Sequence, residues 1–426
     1  MNNSELMRVQ SDHRHTLILI LIFGCSFLLL SYSTRQMNLT HDSLEYLQAA
    51  KSFNTKGKLL TTNGESFTNW APLFPLILST FEGDLNVYQY FNLLCFLAIV
   101  GGMIWLIRYF IQDKRLQLIC AIWLSFSTPI LMQFNFLWSE PLFITFLVFK
   151  ICFFLMFQKT EKPIYYYSLI LLGVLLCLQR YAGLFMVPAF VLMLIGYGKV
   201  NRITMQRALL YGVASVLPTL IWIGLHYEQK GTGFSAFASN LLVSFFPNLI
   251  RSYYQDIIFS WFLPSQLVFQ LGQFYLMAML ILLIIVWIRT KIRLTKGQVF
   301  LLMISLTYYL LLLLIDYASV NAGVKDFSYL SDLERYLAVL YVPVLLLLFS
   351  VTDQNVDRMS AFHRRILFAL LIIWSLYPVA RTIKNSIDWR NYASVESVLS
   401  RVLYFHQHAS SSRCSFVKTP SKAAKP

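Results

Sequence analysis

The hydrophobic residues of this chain form long, nearly uninterrupted stretches separated by short polar segments. A helix that crosses a bilayer needs about 20 mostly apolar residues, because its backbone polar groups must be satisfied within the helix. We looked for stretches without Asp, Glu, Lys or Arg and accepted one that is interrupted by Lys150 alone. They predict eleven spans, at residues 16–32, 85–107, 116–139, 141–158, 163–179, 181–198, 208–226, 257–288, 297–315, 336–352 and 366–380. The pattern therefore predicts an all-α polytopic membrane protein with about eleven transmembrane helices.

The composition agrees with this pattern. Of 426 residues, 57% are hydrophobic and 13% are charged, whereas soluble proteins carry about 25% charged residues. Such a chain has too little polar surface to cover two or three soluble domains. The net charge of +15 would suggest a nucleic-acid partner in a soluble protein. Here an excess of basic residues on cytoplasmic loops explains it, and we expect no nucleic-acid partner.

The basic residues also predict the orientation. With the N-terminus in the cytoplasm, 17 basic residues fall on the inside and nine in the outside loops, as the positive-inside rule requires. We therefore expect an N-in, C-out transmembrane domain over residues 1–380. Its first outside loop covers residues 33–84, and a later outside loop at 227–256 has the spacing of an amphipathic helix on the membrane surface. Residues 381–426 form an outside tail whose end we expect to be disordered.

The first outside loop contains an acid, Asp42, at the start of a segment with helical spacing. One interpretation is structural: Asp42 caps this helix, and Glu45 completes a capping pair. The other is functional: the helix lies on the bilayer and holds the Asp42 carboxylate at the membrane surface. The residues alone leave both interpretations open.

Several segments of the chain resemble one enzyme superfamily. The first loop reads DSLEYLQAA at residues 42–50, followed by Gly57 and by WAPLFPL at residues 70–76. The other segments are SEPL at residues 139–142, QRYAGL at 179–184, and ERYL at 334–337 with Pro343 after it. In this order, and all on the outer face, they resemble GT-C membrane glycosyltransferases of the protein O-mannosyltransferase and aminoarabinose transferase branch. The resemblance implies a GT-C fold with a helical first periplasmic loop.

The resemblance also implies an activity. It indicates an inverting glycosyltransferase that uses a sugar on a polyprenyl phosphate and an acceptor lipid, glycan or protein at the outer face. Asp42 matches the catalytic acid of the family, and Glu140 is the second carboxylate. Arg180 and Arg335 would bind the donor phosphate. No cofactor is required, and a divalent metal is compatible with this chemistry but not demanded by it. The large lumenal domain of eukaryotic mannosyltransferases is not recognisable in the sequence, which favours a bacterial inner membrane and a periplasmic site.

Each of these residues has a simpler alternative. Glu140 can stabilise a helix N-terminus, Arg180 can extend towards the interface, and Arg335 can pair with its neighbour Glu334. Lys150 lies near the middle of a span, where a charge is costly. It can extend towards the cytoplasm or face a partner inside the bundle, and its depth excludes it from our catalytic set. The supporting candidates are His41, Glu45, Tyr46 and Lys58, although His41, Glu45 and Lys58 are also typical of solvated surface residues.

Two other functions compete with the enzyme. A transporter or flippase of lipid-linked sugars would place acids and broken helices at mid-membrane, whereas the acids here fall in outside loops. A polymerase or ligase of surface polysaccharide would carry its signature in a large late loop. The first loop is the richest here, so the sequence favours the glycosyltransferase.

Overall fold

The computed structural model describes residues 3–34, 37–82, 84–197, 201–226, 254–268, 293–321 and 333–392, together with residues 270, 278 and 281. Regular structure in this part of the chain is helical, and its extended segments form two isolated bridges. The helices are α1 (Asn3–Ser33), α2 (His41–Lys56), α3 (Leu73–Thr80), α4 (Leu85–Phe110), α5 (Lys114–Ser125), α6 (Thr128–Phe134), α7 (Glu140–Thr160), α8 (Pro163–Gln179), α9 (Ala182–Tyr197), α10 (Arg202–His226), α11 (Tyr254–Ser260), α12 (Lys296–Asn321), α13 (Leu333–Val356) and α14 (Ala361–Tyr392).

Seven helices in the described residues are long and apolar enough to cross a membrane. These are α1, α4, α7, α10, α12, α13 and α14, and α5 with α6 would make an eighth as a bent pair. The shorter apolar helices α8 and α9 occupy two further predicted spans. The chain is therefore an all-helical integral membrane protein in the part described, but the predicted number of eleven spans is not confirmed.

The predicted span at 116–139 is broken. Helix α5 ends at Ser125, and α6 begins after Ser127, whose hydroxyl accepts a hydrogen bond from the Ile130 backbone N–H at 3.2 Å. Pro129 lies in the first turn of α6, where its missing N–H costs nothing. The two helices meet at 44°, and α6 ends at Phe134. The last residues of this stretch, 135–139, are consequently not helical.

Two other predicted spans have different limits. Within 257–288, α11 ends at Ser260 and the chain turns before Pro264, because proline disfavours helical backbone at the preceding residue. The final helix α14 continues through Arg381 to Tyr392. The expected boundary between domain and tail at residue 380 thus lies inside a helix. The predicted amphipathic loop up to residue 253, and the tail beyond residue 392, lie outside the described residues.

Helix α7 lies in the interior of the bundle and packs closely on α4. A side chain at Gly102 of α4 would place its Cβ 2.5 Å from Val148 Cγ1 of α7, so glycine permits this approach. Lys150 of α7 is fully buried, with Nζ 4.1 Å from the ring centroid of Phe190 and 5.3 Å from that of Tyr211. It therefore faces aromatic partners inside the bundle and does not extend to the cytoplasmic face.

Candidate active site

Backbone pairing joins the first outside loop to the segment that precedes α7. The Asn38 backbone N–H donates to Asn135 O at 3.0 Å, and the Leu137 N–H donates to Asn38 O at 3.0 Å. The Ser43 hydroxyl adds a third bond, to Leu137 O at 3.0 Å. These bonds bring the start of α2 next to the residues that lead into Glu140.

The N-cap of α2 is Thr40, not Asp42. The Ser43 hydroxyl accepts from the Thr40 backbone N–H at 2.9 Å and lies 3.1 Å from the Thr40 hydroxyl. Because Thr40 and Ser43 form this capping box, the structural alternative in which Asp42 caps the helix and Glu45 completes the pair is wrong. Asp42 occupies the first helical turn, and its carboxyl is left to contact other elements.

Glu140 is the most buried member of a cluster of four charged side chains. Its carboxylate is 1% exposed and sits at the start of α7. Arg335, from the first turn of α13, donates two bonds to it: Nε bonds Oε1, and Nη2 bonds Oε2 at 3.1 Å. Arg180 also pairs with Oε1. A carboxylate buried this deeply requires such compensation, which the two guanidinium groups supply.

Arg335 also reaches the first loop. Its Nη1 donates to Asp42 Oδ2 at 2.7 Å, so one guanidinium joins the two predicted carboxylates. The Asp42 carboxyl is 24% exposed, whereas the Arg335 side chain is 4% exposed. The neighbour Glu334 does not compete for Arg335, because its carboxylate accepts from Arg381 Nη2 at 2.7 Å. The local ion pair between Glu334 and Arg335 considered from the sequence is therefore wrong.

Arg180 lies in the short link between α8 and α9. Its Nη1 donates to the Ser139 hydroxyl at 3.0 Å as well as contacting Glu140. Burial disfavours the charged guanidinium, but the Glu140 carboxylate outweighs this and raises the pKa of Arg180. The guanidinium is therefore permanently charged and turned towards the cluster, which excludes simple extension into the membrane interface.

Tyr46 lies beneath the cluster on α2, one turn after Asp42. Its hydroxyl is 3.3 Å from the Ser139 hydroxyl, and its ring packs edge-on against Phe74 with centroids 4.8 Å apart. Burial raises the pKa of Tyr46, so the phenol stays neutral. Tyr46 thus contacts the cluster through Ser139, as part of a buried aromatic core under the first loop.

The other three supporting candidates lie apart from the ion pairs. His41 and Lys58 are exposed. Glu45 is 5% exposed and accepts from the backbone N–H of Thr62 at 3.0 Å and from the Thr62 hydroxyl. The alternative of a solvated Glu45 is wrong, because the loop after α2 folds back over it.

Sequence reasoning missed Trp138, Ser139 and Arg381 as individual residues of this region. Trp138 and Ser139 fall at the end of a predicted apolar span, and Arg381 falls in the predicted tail. The signal that identifies the first two is the start of α7, because Ser139 is a favourable N-cap residue and Pro141 is favoured in the first helical turn. Among the described residues, no three His, Cys, Asp or Glu side chains are close enough together to hold a metal ion.

Comparisons with known proteins found no matching family model and no matching curated protein. Several solved structures align with the chain, among them the following two. One is ArnT from Cupriavidus metallidurans bound to undecaprenyl phosphate, with 14% identity, a TM-score of 0.46, and coverage of 80% of this chain and 60% of ArnT. The other is the archaeal oligosaccharyltransferase AglB from Archaeoglobus fulgidus, in complex with an inhibitory peptide and a dolichol-phosphate. It has 13% identity, a TM-score of 0.46, and coverage of 89% of this chain and 56% of AglB. This chain therefore spans less than two thirds of either protein's length.

Proposed function

We propose that this chain is an inverting glycosyltransferase that moves a sugar from a polyprenyl phosphate to an acceptor at the outer face of a bacterial inner membrane. The observation that carries the proposal is the cluster of Asp42, Glu140, Arg180 and Arg335. Its members come from α2, α7, the α8–α9 link and α13, so four distant parts of the sequence meet at one end of the bundle. The first-loop resemblance and the excess of basic residues on the opposite loops support the same assignment.

Asp42 is the proposed general base. The acceptor oxygen or nitrogen attacks the anomeric carbon, its proton passes to the Asp42 carboxylate, and the bond between that carbon and the phosphate oxygen breaks. A base must lie within hydrogen-bond reach of the proton that it removes. Asp42 is the more accessible of the two carboxylates, at 24% exposure against 1% for Glu140, so an acceptor can approach it. The Arg335 bond fixes one of its oxygens.

The arginines are the proposed site for the leaving phosphate, which gains negative charge as the bond breaks. Guanidinium groups suit this role because they remain charged and bind phosphate oxygens in pairs. Arg180 is 14% exposed and Arg335 is 4% exposed. We therefore assign the first phosphate contact to Arg180, while Arg335 mainly holds the two carboxylates. Glu140 orients both arginines. Because two guanidinium groups supply positive charge for the phosphate, a divalent metal is compatible with this site but not demanded by it.

The test is transfer of a labelled sugar from a polyprenyl phosphate by the purified chain in bilayers, with extracted membranes as the source of acceptors. Asp42→Asn should abolish transfer and leave folding intact. The matched control is Asp84→Asn, since Asp84 is an exposed N-cap at the outer end of α4 and asparagine also caps helices. Full transfer by the Asp42 variant would refute the assignment. A flippase would instead move the lipid-linked sugar across the bilayer without forming a new glycoside.

A further inference from the structure

The indole of Trp138 contacts both sides of the ion-pair cluster. The Arg335 guanidinium carbon lies 4.3 Å from the centre of the indole ring. At the edge of the same indole, Nε1–H donates to the Thr40 hydroxyl at 2.9 Å. Thr40 is the N-cap of α2, two residues before Asp42. One buried side chain, 2% exposed, therefore contacts the arginine and also the helix start that carries its carboxylate partner.

Neighbouring groups contact both the side chain and the backbone of Trp138. The Phe136 ring stacks on it with centroids 4.2 Å apart and planes within 9°. The phenyl ring and the guanidinium therefore both contact the indole ring. The backbone carbonyl of Trp138 accepts from the Tyr88 hydroxyl at 3.0 Å. Contacts at the ring, at the indole edge and at the backbone restrict its orientation.

A guanidinium stacked on an aromatic face has a fixed plane, and the directions of its N–H groups are set by that plane. Arg335 needs a defined plane because it donates two bonds to Glu140 and one to Asp42. The bond to Thr40 fixes the other partner, because it holds the first turn of α2 and so the Asp42 backbone. Both ends of the contact between Asp42 and Arg335 thus depend on Trp138.

We propose that Trp138 is a positioning residue that sets Arg335 against Asp42 and Glu140. Its effect on catalysis rests on the proposed transferase function, but its effect on the geometry of the cluster does not. Nothing in the sequence motifs points to Trp138, which lies at the end of an apolar stretch. The inference comes from the two contacts of its ring.

Two substitutions separate the two contacts. Trp138→Phe keeps an aromatic face under Arg335 and loses the bond to Thr40, and we expect kcat to fall about fivefold, as for one ordinary hydrogen bond. Trp138→Leu loses both contacts, and we expect kcat to fall about 100-fold, because a desolvated cation–π contact is lost as well. The KM for the donor should change much less. Trp105→Leu is the matched control, since Trp105 packs on Tyr109 near the far end of α4. Unchanged kcat in Trp138→Leu would overturn the proposal.

A second measurement does not depend on transfer activity. A water-soluble carbodiimide with an added amine labels accessible carboxyls, and mass spectrometry reports labelling at each residue. We expect Trp138→Leu to speed the labelling of Asp42 about tenfold, because the carboxyl loses the arginine that shields it, while exposed Glu82 keeps its rate. Equal Asp42 labelling in wild type and Trp138→Leu would overturn the positioning role. A wild-type protein without transfer activity would refute the proposed function alone, and the labelling result would still decide the role of Trp138.

Discussion

Glu140 offers the sharpest test of the buried charge cluster. The substitution Glu140→Gln keeps the shape of the side chain but removes the negative charge that Arg180 and Arg335 share. The cluster changes from two acids and two arginines to one acid and two arginines, with the excess positive charge buried. Removing one partner of a buried ion pair costs about 3–5 kcal/mol, because the remaining charge loses its compensation. For Glu140→Gln we expect the free energy of unfolding to fall by about 3 kcal/mol, at the low end of this range, because the partly exposed Asp42 still pairs with Arg335.

The assay is thermal unfolding of the purified protein in detergent, followed by intrinsic fluorescence. For a chain of this length we expect the midpoint to fall by about 4 °C. The matched control is Glu161→Gln, an exposed acid at the other end of the same helix. It should unfold within about 1 °C of wild type, since exposed charges contribute little.

A double-mutant cycle tests whether the unbalanced buried charge causes the loss of stability in Glu140→Gln. Arg180→Gln added to Glu140→Gln restores the charge balance, because Asp42 and Arg335 then remain as a single pair. The double variant should therefore be more stable than Glu140→Gln alone by about 1 kcal/mol, although it carries one more substitution. Wild-type stability of Glu140→Gln, or strict additivity of the two substitutions, would refute the reasoning.

Two further predictions concern the helices around the site. Gly183→Ala should destabilise the protein by about 1–3 kcal/mol and lower transfer. The Cβ of the new alanine would lie 2.5 Å from Leu176 O and would push apart the two helices on either side of Arg180. Gly196→Ala in the same helix has no atom within 4 Å of its Cβ and should be neutral or slightly stabilising in the same unfolding and transfer assays. Lys150→Met should leave transfer unchanged, because Lys150 lies about 15 Å along α7 from Glu140. The unfolding midpoint should be equal or higher, because the substitution removes a buried charge and the methionine sulfur packs well on aromatic rings. Loss of transfer in that variant would show that Lys150 belongs to the chemistry.

The positions of several helices could be predicted from the absence of charge. Helix α8 has the expected limits, 163–179, and α9 begins one residue after its predicted start. The predicted limits are wrong where a helix does not end at a charged residue. Arg381 ends an apolar stretch but continues α14, because Glu334 and the carbonyl of Ser260 accept its hydrogen bonds. At 116–139 the absence of charge predicts one continuous span, but α5 ends at Ser125 and a new helix starts after Ser127.

The site could be predicted as a set of residues but not as a set of contacts. Arg335 is adjacent in sequence to Glu334, yet it pairs with Glu140 and Asp42, which precede it by 195 and 293 residues. Spacing rules describe neighbours within one helix and contain no information about which helix ends meet. The cap of α2 shows the same limit at short range, since Thr40 and Asp42 are both suitable N-cap residues, and only the structure shows that Asp42 lies within the first turn and contacts Arg335.

The cluster also determines which substitutions can separate chemistry from folding. Glu140, Arg180 and Arg335 are each bound to at least one buried charged partner, so removing any of them leaves a buried charge uncompensated and lowers stability together with activity. Asp42 differs: it is partly exposed and makes one described ion pair, and Arg335 keeps both bonds to Glu140 without it. Asp42→Asn is therefore expected to cost less stability than the loss of about 3 kcal/mol expected for Glu140→Gln. A complete loss of transfer in a variant that unfolds closer to wild type than Glu140→Gln would assign Asp42 a role in the reaction, as the base or through its bond to Arg335, and not in folding.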